Sequence, residues 1–224
     1  MVTRRRHGPP AVTRDAAPAS ERSIAPAGQL ERLIFLSDGV FAIALTLLVV
    51  SLEVPVANSD LAAALWQLRP KFLSYGVSFL AIAAFWISHQ RVFRYIVRID
   101  GRLLWISLIF LLCIGFQPFP TAVLGSSGDQ PIAVTLYAGT LMMTSLLVLA
   151  MWVYSTVGHR LVQPDLSPRF IRYQTIRAVV APVVFAISIV IAQFNPSLAE
   201  LSWLSIAILL SMVHALLWDS NTQP

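Results

Sequence analysis

Apolar residues along this chain fall into long blocks rather than alternating stripes. Six of them run through roughly residues 33–53, 72–93, 102–122, 132–156, 174–194 and 198–218. Each is close to the about 20 residues that an α-helix, rising about 1.5 Å per residue, needs to cross the hydrocarbon of a bilayer. Buried helices of soluble proteins show apolar runs of about 10–14 residues. The pattern predicts an all-α polytopic membrane protein with six transmembrane helices. Pro55, Pro70, Pro131, Pro164, Pro168 and Pro196 punctuate the gaps, where the chain reverses and a missing N–H does little harm. Pro182, inside the fifth block, predicts a kink there, and Pro118 and Pro120 predict an end or a bend in the third.

The first 29 residues are a different material. Arg4-Arg5-Arg6 and then Pro9, Pro10, Pro18 and Pro26 stand among Ala, Ser and Arg, a composition that cannot bury a core. The expected organisation is a disordered, basic, Pro-rich cytoplasmic tail over 1–29, a six-helix membrane domain over 30–218 and a short cytoplasmic tail over 219–224. The first apolar block is too long for the about 7–15-residue core of a secretory signal, so it reads as a span.

Composition agrees: 57% of the 224 residues are apolar and 12% charged, about half the charged fraction of an ordinary soluble domain. The net charge of +5 is a matter of topology. Of the 16 Lys and Arg residues, 14 lie in the N-terminal segment to Arg32 and in the second and fourth connections. The positive-inside rule places those connections and both termini in the cytoplasm. Because the basic residues flank spans, no nucleic-acid partner is needed to explain them. Cys113 is the single cysteine, so neither a disulfide nor a cysteine zinc site is expected, and the four histidines are scattered. No metal-protease, phosphate-loop or nucleophile-elbow motif occurs. No catalytic residue, metal or cofactor is expected, and the chain does not read as an enzyme.

Asp38 is where polar chemistry enters a span. A charged side chain inside the membrane costs about 2.5–3.5 kcal/mol on insertion scales and normally faces a partner or water. Arg32 lies six residues away, about 600° around a helix, and so does not share its face. His89, near the cytoplasmic end of the second block with Trp86 one turn before it and Arg91 beside it, is at matching depth. An Asp38–His89 or Asp38–Arg contact is expected to lock the first two spans together. Past Asp38, the residues Ile43, Thr46 and Val50 fall at i, i+3 and i+7 on one helical stripe. Around a symmetry axis they would stack an apolar constriction, a hydroxyl ring and a second apolar constriction; ordinary helix packing accounts for the spacing equally well.

The run Arg32-Leu33-Ile34-Phe35-Leu36-Ser37-Asp38-Gly39-Val40-Phe41-Ala42-Ile43-Ala44-Leu45-Thr46 resembles the first-helix signature of the bacterial relatives of the endosomal and lysosomal potassium channel. The family pattern is Arg, three residues, then Phe-Ser-Asp; here Leu36 stands in place of that Phe. Phe85-Trp86-Ile87-Ser88-His89 and Pro118-Phe119-Pro120-Thr121-Ala122 are also similar to the family. The resemblance covers residues 30 to about 215. It implies six spans, a homotetramer whose first helices line a central pore, and no Thr-Val-Gly-Tyr-Gly filter, which this chain indeed lacks. The implied roles are a constriction at Ile43, with Val50 further along the pore, a selectivity-linked hydroxyl at Thr46, and a supporting polar network of Arg32, Ser37, Asp38, Trp86 and His89. The implied activity is a weakly potassium-selective leak channel, whose partners are further copies of the chain, potassium ions and membrane lipids. Two alternatives stay open: a proton-permeable pathway or proton-coupled transporter using Asp38 and His89, and a membrane protein of purely structural or assembly role.

Overall fold

The computed structural model describes residues 26–53 and 60–217, and these are almost wholly helical. Helix α1 (Pro26–Leu47) runs on into a 3₁₀ turn over Leu48–Ser51. The short α2 (Leu61–Gln67) leads into α3 (Arg69–Phe93). Next come α4 (Gly101–Phe116), α5 (Pro118–Ser127), α6 (Pro131–Thr156) and α7 (Pro168–Ala192), and α8 (Pro196–Ser202) and α9 (Ser205–Leu217) complete the order. Six stretches are long and apolar enough to cross a membrane: Gly28–Ser51, Arg69–Phe93, Gly101–Ser127, Pro131–His159, Pro168–Ala192 and Pro196–Leu217. The chain is an all-α protein with the six expected spans.

The helix starts are written into the sequence. Asp60, Asp100, Ser167 and Asn195 each accept a hydrogen bond from a backbone N–H in the helix they precede, at 3.0, 2.9, 3.2 and 3.1 Å. Proline occupies the first turn of α3, α5, α6, α7 and α8, where its missing N–H has no helical partner to lose. Two boundaries differ from expectation. Helix α1 begins at Pro26, so residues 26–29 belong to the helix; the rest of the expected N-terminal tail and the short C-terminal tail lie outside the described residues. The third span continues past Pro118 and Pro120 to Ser127, because Gln117 between α4 and α5 keeps helical angles, φ −54° and ψ −33°. Helix α7 runs through Pro182 without interruption.

Helix α6 is central, packing mainly on α7 and α4, while α1 packs on α4 and α3, and α3 on α5. The fully buried side chains between them include Phe41, Ile82, Phe110, Ile114, Tyr137 and Trp152. Helices α3 and α5 approach closely at Gly125, where an added Cβ would lie 2.5 Å from Ser74 Oγ and 3.1 Å from the Cα of Lys71. Small residues permit such approach between membrane helices. Gly125→Leu is expected to push α5 off α3 and destabilise the fold by about 1–3 kcal/mol, read as a lower thermal midpoint in detergent. An unchanged midpoint would show that the contact yields without cost.

Candidate functional site

Helix α1 divides lengthwise. Leu33, Ser37, Phe41, Ala44 and Leu48, at helical spacing, are buried against the rest of the chain. On the other side Phe35, Leu36, Ile43, Leu47, Val49 and Val50 are exposed, Ile43 by 60% and Val50 by 73%. One chain therefore leaves an apolar face along most of its first span uncovered. Thr46 is exposed on this face between Ile43 and Val50. Its hydroxyl donates to the Ile43 carbonyl at 2.9 Å, so the proton is engaged within the helix while the oxygen's lone pairs stay open on the exposed face.

The three stripe residues do not stay in one line. The change to 3₁₀ winding at Leu48, about 120° per residue instead of about 100°, turns Val50 by roughly 50° from its α-helical position. Val49 and Val50, both more than half exposed, then straddle the Ile43–Thr46 line.

Asp38 is bracketed by α3, but not through the residue expected. Its Oδ1 accepts from the indole N–H of Trp86 at 2.8 Å and from the side-chain amide of Gln90 at 2.9 Å. The expected contact to His89 or to an arginine is not formed. The His89 ring is fully buried, stacked on Phe93 with centroids 4.3 Å apart and on Phe110 at 5.5 Å, with Phe41 at 6.0 Å. Neither of its nitrogens has a hydrogen-bond partner among the described residues. The physical reason is rotation: Trp86 and Gln90 are four apart and share a face of α3, whereas His89 stands about 100° round from Gln90 and points into the core. Sequence reasoning missed Gln90; the i, i+4 spacing from Trp86 is the signal that finds it.

The other residues of the expected network go separate ways. Ser37 is buried and donates to the carbonyl of Leu33 at 2.8 Å. Arg32 lines a cleft with Leu36, Ile99, Asp100 and Leu104, between the beginnings of α1 and α4. Asp100 caps α4 and accepts from the hydroxyl of Tyr154. Its partial burial favours the neutral acid, but the Leu103 N–H, the Tyr154 hydroxyl and the charge of Arg160 outweigh this and hold the carboxyl below the usual carboxylate range. At the opposite end of the first span, Glu53 pairs with Lys71 of α3 at 3.1 Å. Glu53 is 80% exposed, so this pair adds little stability; it nevertheless means that the first span touches α3 through polar groups near both ends.

A second polar cluster crosses the interior without any sequence signal. Thr121 donates to Ser78 at 2.8 Å, and Ser78 is 2.9 Å from the hydroxyl of Tyr137, joining α5, α3 and α6. Thr121, Ser78 and Tyr137 are all fully buried. Among the described residues no group of His, Cys, Asp or Glu side chains is placed to hold a metal ion.

Known proteins are similar to this chain in sequence and fold. The family described as endosomal/lysosomal potassium channel TMEM175 matches residues 32–118, from Arg32 through the aromatic pocket of His89 to Pro118. The fold matches a crystal structure described as a lysosomal potassium-selective channel TMEM175 homolog from Chamaesiphon minutus, with a TM-score of 0.73 and 25% identity, covering 82% of this chain and 97% of that one. A human relative, 31% identical over 137 residues but only 27% of its own length, is described as an endosomal/lysosomal proton channel. A Streptomyces collinus protein described as a potassium channel is 34% identical over 147 residues, which are 63% of this chain and 71% of that protein. With that much of a bacterial relative matched, and the family match and the fold in agreement, the chain belongs to the TMEM175 family.

Proposed function

We propose that this chain is the subunit of a homotetrameric, potassium-permeable leak channel of a prokaryotic plasma membrane, with ions passing along the exposed faces of four first helices. The observation that carries the proposal is the uncovered face of α1, where the hydroxyl of Thr46 sits between Ile43 and the Val49–Val50 pair. A single span can turn such a face to lipid, but four copies around an axis bury it and stack it into rings. An isoleucine ring is an apolar constriction that gates by dewetting, and a hydroxyl ring replaces part of a cation's hydration shell. The names of the Streptomyces and Chamaesiphon relatives support potassium as the permeant ion. Membrane lipids surround the assembly.

The cytoplasmic placement of both termini rests on the basic residues. The connections after α3 and α6 pair with each other, Val97 N–H to Leu161 O at 2.9 Å and Arg98 Nη2 to Arg160 O at 3.1 Å. This gathers their arginines at the end of the bundle where α1 begins, as the positive-inside rule requires of one cytoplasmic face.

Reconstitution into liposomes under a potassium gradient tests the activity: cation flux is expected, and its absence under every ionic condition sinks the proposal. Native mass measurement of the purified protein checks for four copies. Thr46→Val removes the ring oxygens at nearly constant volume. If the ring favours potassium by about 1 kcal/mol, the variant lowers potassium preference over sodium about fivefold, and mixed-ion recordings with an unchanged reversal potential would remove that role from Thr46.

A second reading, a proton pathway through Asp38 and His89, is favoured by the description of the human relative. No hydrogen bond joins the two side chains. A pH-sensitive dye inside the same liposomes separates proton from potassium flux.

A further inference from the structure

Away from α1, a cavity of about 110 Å³ lies among α3, α6, α7 and α9. That is several times the roughly 10–15 Å³ that one water needs by the same measure. Its walls carry two arginines, Arg91 near the end of α3 and Arg177 in the third turn of α7, together with Gln174, Ser88 and Ser145. The two guanidinium-bearing side chains, from different helices, line the same hollow. Among the described residues neither is ion-paired with a carboxylate, and the ion pair found there, Lys71–Glu53, lies far along the bundle.

The donors in this cavity have few acceptors. Arg91 carries five N–H groups, and none of its side-chain N–H groups forms a hydrogen bond or an ion pair with a described residue. Arg177 donates through Nη1 to the hydroxyl of Tyr173 at 3.3 Å, and its other side-chain N–H groups form no hydrogen bond to a described residue. Gln174 is buried, and its side-chain amide has no partner among the described residues. Ser88 and Ser145 donate to their own helices, at 2.8 Å each. Two like charges and an amide donor facing one polar hollow inside a span are costly unless an anion is shared between them. Guanidinium forks match the paired oxygens of a phosphate, and basic pockets between membrane helices on the cytoplasmic side hold lipid head groups.

We propose that this cavity is a binding site for a phosphate-bearing anion, held between Arg91 and Arg177 with Gln174 as a further donor, and supplied either by an anionic phospholipid head group or by a soluble phosphate. The site does not depend on the channel reading, because it shares no residue with the exposed face of α1. It does share α3 with the Asp38 bracket: Ser88 and Arg91 face the cavity while Trp86 and Gln90 face Asp38. An occupant would fix the position of the helix that holds α1.

The test is binding, read independently of flux. Lipid-stripped protein in detergent is titrated with phosphatidylglycerol, with phosphatidylcholine as the neutral control, and the adducts are counted by native mass spectrometry. The expected result is a retained phosphatidylglycerol adduct that phosphatidylcholine does not form. Arg91→Gln and Arg177→Gln are each expected to weaken it about fivefold, and the double variant about 25-fold if the two act independently. Ala181→Leu, which fills the cavity and leaves both arginines in place, is expected to abolish the adduct, so the proposal stays testable if the charge variants fold poorly. The titration is repeated with inorganic phosphate: displacement identifies a site open to soluble phosphate, and persistence of the adduct identifies the lipid head group. Equal retention of the two lipids, or undiminished phosphatidylglycerol binding by folded double and cavity-filled variants, overturns the proposal.

Discussion

Tyr137→Ala is expected to cost about 3 kcal/mol or more and to lower the thermal midpoint sharply. Tyr137 is fully buried, packs tilted against Trp203 with ring centroids 5.1 Å apart, and ends the Thr121–Ser78–Tyr137 chain that ties three helices. Two effects compete for the credit. Truncating a large buried aromatic costs about 3–5 kcal/mol in soluble cores. In lipid the transfer part is smaller, since the surroundings are as apolar as the core, but the lost packing contacts remain. Hydrogen bonds between membrane helices average only about 0.6 kcal/mol. Packing should therefore dominate, and Tyr137→Phe, which keeps the ring and loses the hydroxyl, should cost about 1 kcal/mol. Thermal unfolding of the two variants side by side decides this. If Phe is as damaging as Ala, the hydroxyl chain and not the packed ring holds α3, α5 and α6 together.

That chain also marks the limit of what was legible beforehand. The six spans were readable because oil content and length act locally and additively: each block is long enough by itself to cross a bilayer. The gaps were readable for the same reason: Pro131, Pro168 and Pro196, which punctuate them, stand in the first turns of α6, α7 and α8. Ser78, Thr121 and Tyr137 lie on three different spans, 43 and 59 positions from Ser78, and nothing local distinguishes them. Ser37, Ser88 and Ser126 are of the same residue types yet simply donate to their own helices. Which serine crosses to a neighbour is decided by docking, which periodicity does not contain.

The partner of Asp38 is an intermediate case. Depth pointed to the right turn of α3, and within that turn titratability pointed to His89. The ring at that position instead fills a hollow between Phe93 and Phe110, where its shape matters and its proton has nowhere to go. Gln90 carries no charge and so drew no notice, yet spacing alone places it beside Trp86. For the exposed stripe on α1 the sequence held the right residues and missed the change of winding at Leu48, because an apolar Leu-Val-Val run favours neither helix type.

The bracket on Asp38 yields the prediction that best separates conduction from proton transfer. Trp86 and Gln90 both donate to the same oxygen, Oδ1. Asp38→Ala deletes that acceptor and leaves two donors in the membrane. Hydrogen bonds to an ionised group contribute about 1.5–3 kcal/mol each when buried, and since Asp38 is exposed within one chain, solvent screening reduces the pair together to about 1–3 kcal/mol. The first helix then loses a contact to α3 at one end, and potassium flux should fall along with stability. Asp38→Asn keeps an oxygen able to accept both bonds and loses only the charge assistance, which makes such bonds roughly twice as strong as neutral ones. It should therefore retain about half of that contribution and most of the flux. A proton relay predicts no such difference, because Asn cannot titrate: Asn would then be as inactive as Ala. Liposome flux and thermal midpoints of Asp38→Asn and Asp38→Ala, measured together, distinguish a carboxylate that positions the pore helix from one that carries protons.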